Sequence, residues 1–146
     1  NIPREAAMTF VAGYVIANDV SARDIQLGDG QWTRGKTLDT FAPMGPWITT
    51  ADEMKDPTCL SIRTYVNGEK RQDGNTRDMV FGVDEVIQSL SQAMTFEPGD
   101  VLLTGTPSGV GHYMKPAPRY LEPGDSVRIE ITGLGFIDNT VVAQDS

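Results

Sequence analysis

Apolar and polar positions alternate most clearly near the middle of the chain. Leu60, Ile62 and Val66 alternate with Ser61, Arg63 and Tyr65, the two-residue period of a half-buried strand. Asn67-Gly68 follows, a pair that tolerates positive φ and predicts a tight hairpin turn. Val127, Ile129 and Ile131 alternate in the same way; Gly133 to Gly135 turns the chain, and Phe136 to Val142 returns. Val11 to Val20 reads as a buried strand and GPWITT, residues 45–50, as another. A polar, Gly-containing loop is expected from Leu27 to Arg34. One long helix stands out: Val83, Val86, Ile87, Leu90 and Met94 recur at intervals of three and four and form one apolar stripe. A short opening helix is also expected, with Asn1 as a possible cap, Pro3 in the first turn and Glu5 at the positive end of its dipole. Glu-Pro-Gly-Asp occurs at 97–100 and at 122–125, each time just before an expected strand. Pro then Gly suits the centre of a type II turn, so we read a reused turn and not a repeat.

These elements predict a mainly β fold with some α, a mixed roll or sandwich. No linker or low-complexity stretch divides the 146 residues, so a single domain over 1–146 is expected. The abrupt start on Asn1 predicts that the beginning of that domain lies upstream. The net charge of −8 disfavours nucleic acid and anionic membranes as partners. It leaves room for a small anionic substrate held by a few placed cations. The longest apolar run, Phe10 to Ala17, is too short to span a bilayer. Cys59 is the one cysteine, which excludes an internal disulfide and a Cys-based zinc site and favours the cytoplasm.

Four segments are too polar for their apolar settings: NDVSARDIQ (18–26), WTRGKTLDTFAPMGPW (32–47), VNGEKRQDGNT (66–76) and GDVLLTGTPSGVG (99–111). Each has an ordinary structural explanation. Asp19 suits a turn after a strand, Arg23 and Asp24 suit a surface ion pair of little energetic value, and Lys36 suits solvent. The loop at Thr104-Gly105-Thr106 lacks the Gly-Lys-Ser/Thr ending and the following helix of a P-loop.

Taken together and in this order, the four segments resemble the fumarylacetoacetate hydrolase family, from Val11 to the end of the chain. The likeness is greatest to bacterial members acting on acylpyruvates and related oxo-acids. The resemblance implies a mixed β-roll, a homodimer, and Mg²⁺ (or Mn²⁺ or Ca²⁺) in the cleft. It implies that Asp19 is a metal ligand, that Arg23 and Gln26 line the substrate pocket, and that Lys36 stands beside the metal as the catalytic cation. Thr106 would hold the substrate carboxylate. Asp24 reads as support for Arg23, and Gln72, Asn75 and Thr76 as structural.

Those roles make physical sense. A hard cation keeps water positions open for a bidentate oxo-acid, and enolate charge develops against it. Lys36 would add a preorganised positive charge, and small residues around Thr106 let backbone N–H groups approach an anion. The chain departs from the family pattern in lacking its Glu-x-Glu pair and its His-Glu pair, which lie upstream of the matching segment. The lone histidine, His112, sits past the Thr106 loop and reads as locally hydrogen-bonded rather than as a base. The expected activity is acylpyruvate-type hydrolysis of a C–C bond in a 2-oxo or β-diketo acid. Oxaloacetate decarboxylation and hydroxy-diene dioate isomerisation share the enolate step, and a silent β-roll serving in assembly is the non-enzymatic alternative.

Overall fold

The computed structural model describes residues 1–28, 30–54 and 56–143. Two antiparallel sheets carry the fold. The smaller pairs β1 (Gly13–Ala17) with β2 (Met44–Thr50); the larger holds β3 (Ser61–Val66), β4 (Glu69–Asn75), β5 (Ser126–Ile131) and β6 (Gly135–Thr140) in the order β4-β3-β5-β6. Among the described residues three α-helices accompany them: α1 (Arg4–Ala7), α2 (Arg23–Gly28) and α3 (Val83–Ser91). The architecture is the expected mixture of strands with some helix, and its sheets are antiparallel.

The alternating residues of β3 and β5 settle the register of the large sheet. Ile62 faces Ile131, Thr64 faces Ile129 and Val66 faces Val127 across the ladder. Ile129 and Ile137 then meet across β5 and β6. This apolar face packs on the β1–β2 ribbon, giving a core of Ile16, Met54, Leu60, Ile129, Leu134 and Ile137, with Tyr14 and Ile131 against it. Burial pushes the Tyr14 hydroxyl above its ordinary pKa. The opposite face is polar: Arg128 bonds Glu130 at 2.7 Å and lies 3.7 Å above the Phe136 ring.

Asn67 and Gly68 adopt φ of 51° and 79°, the left-handed pair that a two-residue hairpin requires. In both Glu-Pro-Gly-Asp turns the Asp N–H donates to the Glu carbonyl, and the Asp carboxylate accepts from the Glu N–H at 2.9 Å. Their glycines have φ of 99° and 97°.

Several expectations need correction. The strand expected over 11–20 is confined to Gly13–Ala17. The expected loop from Leu27 overlaps helix α2, and Trp32–Gly35 forms a 3₁₀ turn. Asn1 does not cap α1; Pro3 holds that position without a side-chain bond. Residues 101–103 follow the first Glu-Pro-Gly-Asp turn without joining a sheet, and Met94 lies exposed beyond the end of α3. The stripe of α3 instead receives α1. Ile2 N–H donates to Ser91 Oγ at 2.8 Å, and Arg4 bonds Asp84 at 2.7 Å. That pairing holds the Asp84 carboxyl below its ordinary value.

The accessible surface is 10060 Å², whereas a compact monomer of 15.9 kDa exposes about 7,400 Å². The excess, about 2,700 Å² on that scaling, includes large apolar residues: Trp32, Trp47, Ile48, Val80, Phe81 and Val101 are all more than half exposed. No helix among the described residues is long and apolar enough to cross a membrane.

Candidate active site

The site begins where β1 stops. Asn18 N–H donates to Pro43 O at 3.0 Å, extending the ribbon by one bond. Val20 N–H then closes back on Asn18 O at 2.8 Å, and Ser21 Oγ donates to the Asp19 carbonyl at 3.1 Å. These bonds turn the chain sharply at Asp19. Helix α2 follows, with Asp24 in its first turn, where its charge suits the dipole.

Lys36 is delivered by close packing. Ala22 N–H donates to Gly35 O at 2.8 Å, tying the 3₁₀ turn to the start of α2. A Cβ on Gly35 would lie 2.7 Å from both Ala22 O and Gln26 Cβ, so only glycine lets the two segments approach this closely. The next residue, Lys36, donates through Nζ to Asp19 Oδ2. Their side chains are 31% and 45% exposed, so solvent screens the pair and its contribution to stability is small. Its interest is positional: a carboxylate and an ammonium group are held together at an open surface.

Arg23 and Gln26 stand one turn apart on α2. Arg23 Nη1 donates to Gln26 Oε1 at 2.6 Å. Gln26 is 1% exposed, and its Nε2 has no hydrogen-bond partner among the described residues. Asp19 with Lys36 and Arg23 with Gln26 thus form two pairs, linked through the packing of Gly35 on α2.

Thr106 belongs to a second group. Its loop lies on β4, where Gln72 Nε2 donates to Thr106 Oγ1 at 2.8 Å and to Pro107 O at 2.7 Å. Gly74 is needed beneath Pro107, since an added Cβ would come within 2.6 Å of that ring. Gly109, at φ +107°, lies so close to β4 that a Cβ would sit 1.9 Å from Arg71 O. Gln72 pairs with Thr64 and Gly74 with Ile62, so this loop shares the face of the large sheet that carries the β1–β2 ribbon. No hydrogen bond or ion pair joins Thr106 to the Asp19–Lys36 cluster among the described residues.

Among the described residues no three acidic, histidine or cysteine side chains cluster as a cation site. Asp19 offers one carboxylate, and Lys36 shares its Oδ2. A hard divalent ion takes six or more oxygens, so these residues do not by themselves fit Mg²⁺. The histidine is engaged elsewhere: His112 Nδ1 lies 2.9 Å from the Tyr120 hydroxyl, and its ring meets Tyr113 edge-on. Two open surface hollows lie on the polar outer face of the large sheet, against Arg63, Glu130 and Phe136 and against Tyr65, Arg128 and Asp138. Neither is lined by Asp19, Arg23, Gln26, Lys36 or Thr106. Sequence reasoning missed Gly35, whose signal was only its place before Lys36.

A curated protein of Burkholderia multivorans, named provisionally as a hydrolase, is 51% identical over 136 residues, 92% of this chain and 48% of its own length. The chain thus spans about half the length of the curated relatives it matches. Among solved structures, the fumarylacetoacetate hydrolase of psychrophilic Exiguobacterium antarcticum is 48% identical with a TM-score of 0.93, covering 98% of this chain and 51% of that one. A 2-hydroxyhepta-2,4-diene-1,7-dioate isomerase of Mycobacterium marinum is 46% identical with a TM-score of 0.87, covering 99% and 53%. Maleylpyruvate hydrolase of Sphingobium sp. SYK-6 is 40% identical with a TM-score of 0.83, covering 97% and 48%. The pattern described as fumarylacetoacetate (FAA) hydrolase C-terminal matches residues 1–142, and the chain therefore belongs to the fumarylacetoacetate hydrolase family through its C-terminal domain.

Proposed function

We propose that this chain is part of an enzyme that cleaves a C–C bond in a 2-oxo or β-diketo acid, by acylpyruvate-type hydrolysis. The observation that carries the reading is the Lys36 ammonium group, held against Asp19 at an open surface by the Gly35–α2 contact. In such a reaction water adds to the distal carbonyl carbon, the bond between that carbon and the adjacent methylene breaks, and its electrons move into an enolate. Protonation of the methylene carbon then gives a 2-oxo acid beside a carboxylic acid. Lys36 would face the enolate oxygen, where a preorganised charge stabilises the transition state more than the ground state. Arg23, braced by Gln26, would take a substrate carboxylate, as Thr106 would on its own loop. A cation of the Mg²⁺, Mn²⁺ or Ca²⁺ type is part of the expectation for the longer protein. Asp19 would give it one oxygen, with the other ligands supplied from outside these residues.

A second reading, isomerisation of a hydroxy-diene dioate, is favoured by one observation. Mycobacterial neighbours named as isomerases are 46% and 45% identical, between the fumarylacetoacetate hydrolase of Exiguobacterium antarcticum at 48% and maleylpyruvate hydrolase at 40%. Both reactions pass through an enolised 2-oxo acid, so Lys36 serves either. We also propose a homodimer, supported by the excess exposed surface, and a cytoplasmic location, supported by the single exposed cysteine.

The test is steady-state kinetics of Lys36→Met in the full-length protein, with acylpyruvate and hydroxy-diene dioate substrates. We expect kcat to fall on the order of 100-fold or more with a much smaller change in KM. Near wild-type kcat on every substrate turned over would remove Lys36 from the chemistry.

A further inference from the structure

Gln72 sits on β4 opposite Thr64, with its amide nitrogen 2.8 Å from Thr106 Oγ1 and 2.7 Å from the Pro107 carbonyl oxygen. A backbone carbonyl can only accept. The group facing Pro107 must therefore be the NH₂, and the amide cannot be flipped without setting two acceptors against each other. That NH₂ carries two N–H bonds, one for each contact. Thr106 Oγ1 is thus an acceptor toward β4, and its own O–H must point elsewhere. No acceptor for that proton occurs among the hydrogen bonds of the described residues. Beside it Gly105 has φ +97° and open space where a side chain would stand.

We infer that Gln72 is a positioning residue that holds Thr106 as a hydrogen-bond donor aimed out of its loop, so that the loop takes an acceptor-only oxygen, that of a carboxylate. The inference deepens the functional reading above and rests on it for the identity of the ligand. A carboxylate meeting a fixed hydroxyl makes a charge-assisted bond, roughly twice as strong as a neutral one. A freely turning hydroxyl would lose part of that gain in ordering. Two glycines serve the same end. Gly74 and Gly109 let the loop lie close enough for one amide to reach both oxygens.

A double-mutant cycle in the full-length protein tests this, with oxalate as the probe and isothermal titration as the readout. Gln72→Met removes both donors without adding charge, and Thr106→Val removes the hydroxyl. We expect each to weaken oxalate binding about fivefold or more, with Thr106→Ser close to wild type. Combined, they should cost little more than either alone, because Gln72 acts through the hydroxyl. A Gln72→Met loss that persists undiminished in the Thr106→Val background would assign Gln72 a merely structural role and overturn the inference, as would no loss at all. The Gln72 side-chain amide signals give a readout that needs no ligand. Thr106→Val should move one N–H resonance and leave the other, on Pro107, in place; movement of neither would refute the hydrogen-bond assignment. Absence of oxalate binding by the wild type, with the amide signals behaving as expected, would refute the ligand reading while leaving the donor geometry standing.

Discussion

Gly35→Ala is the most direct test of how the fold places Lys36. The added methyl would start 2.7 Å from Ala22 O, 2.7 Å from Gln26 Cβ and 3.0 Å from Gln26 Cα. Carbon atoms in contact prefer about 3.5–4.0 Å, so the 3₁₀ turn and α2 must separate by roughly an ångström. Two of the three atoms belong to backbone, and Gln26 is fully buried, which leaves little room for the strain to relax sideways. Overpacking of this kind costs about 1–3 kcal/mol, a drop in Tm of roughly 2–6 °C for a protein about twice this length. The same displacement moves Lys36 relative to Asp19. A misplacement of about 1 Å in a catalytic group costs on the order of 100-fold in rate, so activity should fall further than stability does. Gly28→Ala is the control. It lies on the same helix with nothing within 4 Å of its would-be Cβ, and should leave both readouts unchanged. Thermal melts alongside kcat in the full-length protein decide the matter. A Gly35→Ala variant with wild-type Tm and wild-type kcat would refute the argument that this close contact sets the site.

Three further outcomes follow from the same geometry. The 146-residue chain should bind Mg²⁺ no better than roughly millimolar in isothermal titration, and Asp19→Ala should abolish even that; micromolar binding would reveal a ligand set not recognised among these residues. His112→Ala should leave kcat of the full-length protein within about threefold, since its ring nitrogen is committed to Tyr120 and histidine readily serves such polar roles. A collapse of kcat with folding intact would make it the base. Asp125 is held below its ordinary pKa of 3.8, first by the Glu122 N–H and then by Asn67. With the folded value lowered, its stabilisation is present above about pH 4 and is lost as pH falls through the depressed value. Asp125→Asn should therefore narrow the gap between urea midpoints measured at pH 7 and pH 3.

The fold was legible where one face of an element is buried and the other is not. Ile62, Val127, Ile129 and Ile131 announced β3 and β5 because one face of each meets the core, and Asn67-Gly68 announced its turn because few pairs accept two positive φ values. Helix α2 went unread because its six residues, RDIQLG, are too few for a helical period, and because its stability comes from packing on Gly35 rather than from propensity. The apolar run at 101–103 looked like a strand, yet it finds no partner strand among the described residues, and pairing is a long-range property. In the site, the resemblance named Asp19, Arg23, Gln26, Lys36 and Thr106. It did not foretell that Gln26 would be buried behind Arg23, or that a glycine would set the approach of Lys36.

The division into a four-stranded sheet and a two-stranded ribbon has a consequence in time. A lone pair of strands is marginal in water, and the Asp19 turn hangs from the ribbon, whereas β3 and β5 are hydrogen-bonded on both sides. Amide hydrogens of β3 and β5 should exchange slowest, through global unfolding, while those of β1, β2 and residues 18–22 exchange through cheaper partial openings. Warming would then disorder the turn that presents Asp19 while the large sheet persists. Activity would decay at temperatures where circular dichroism still reports a folded protein.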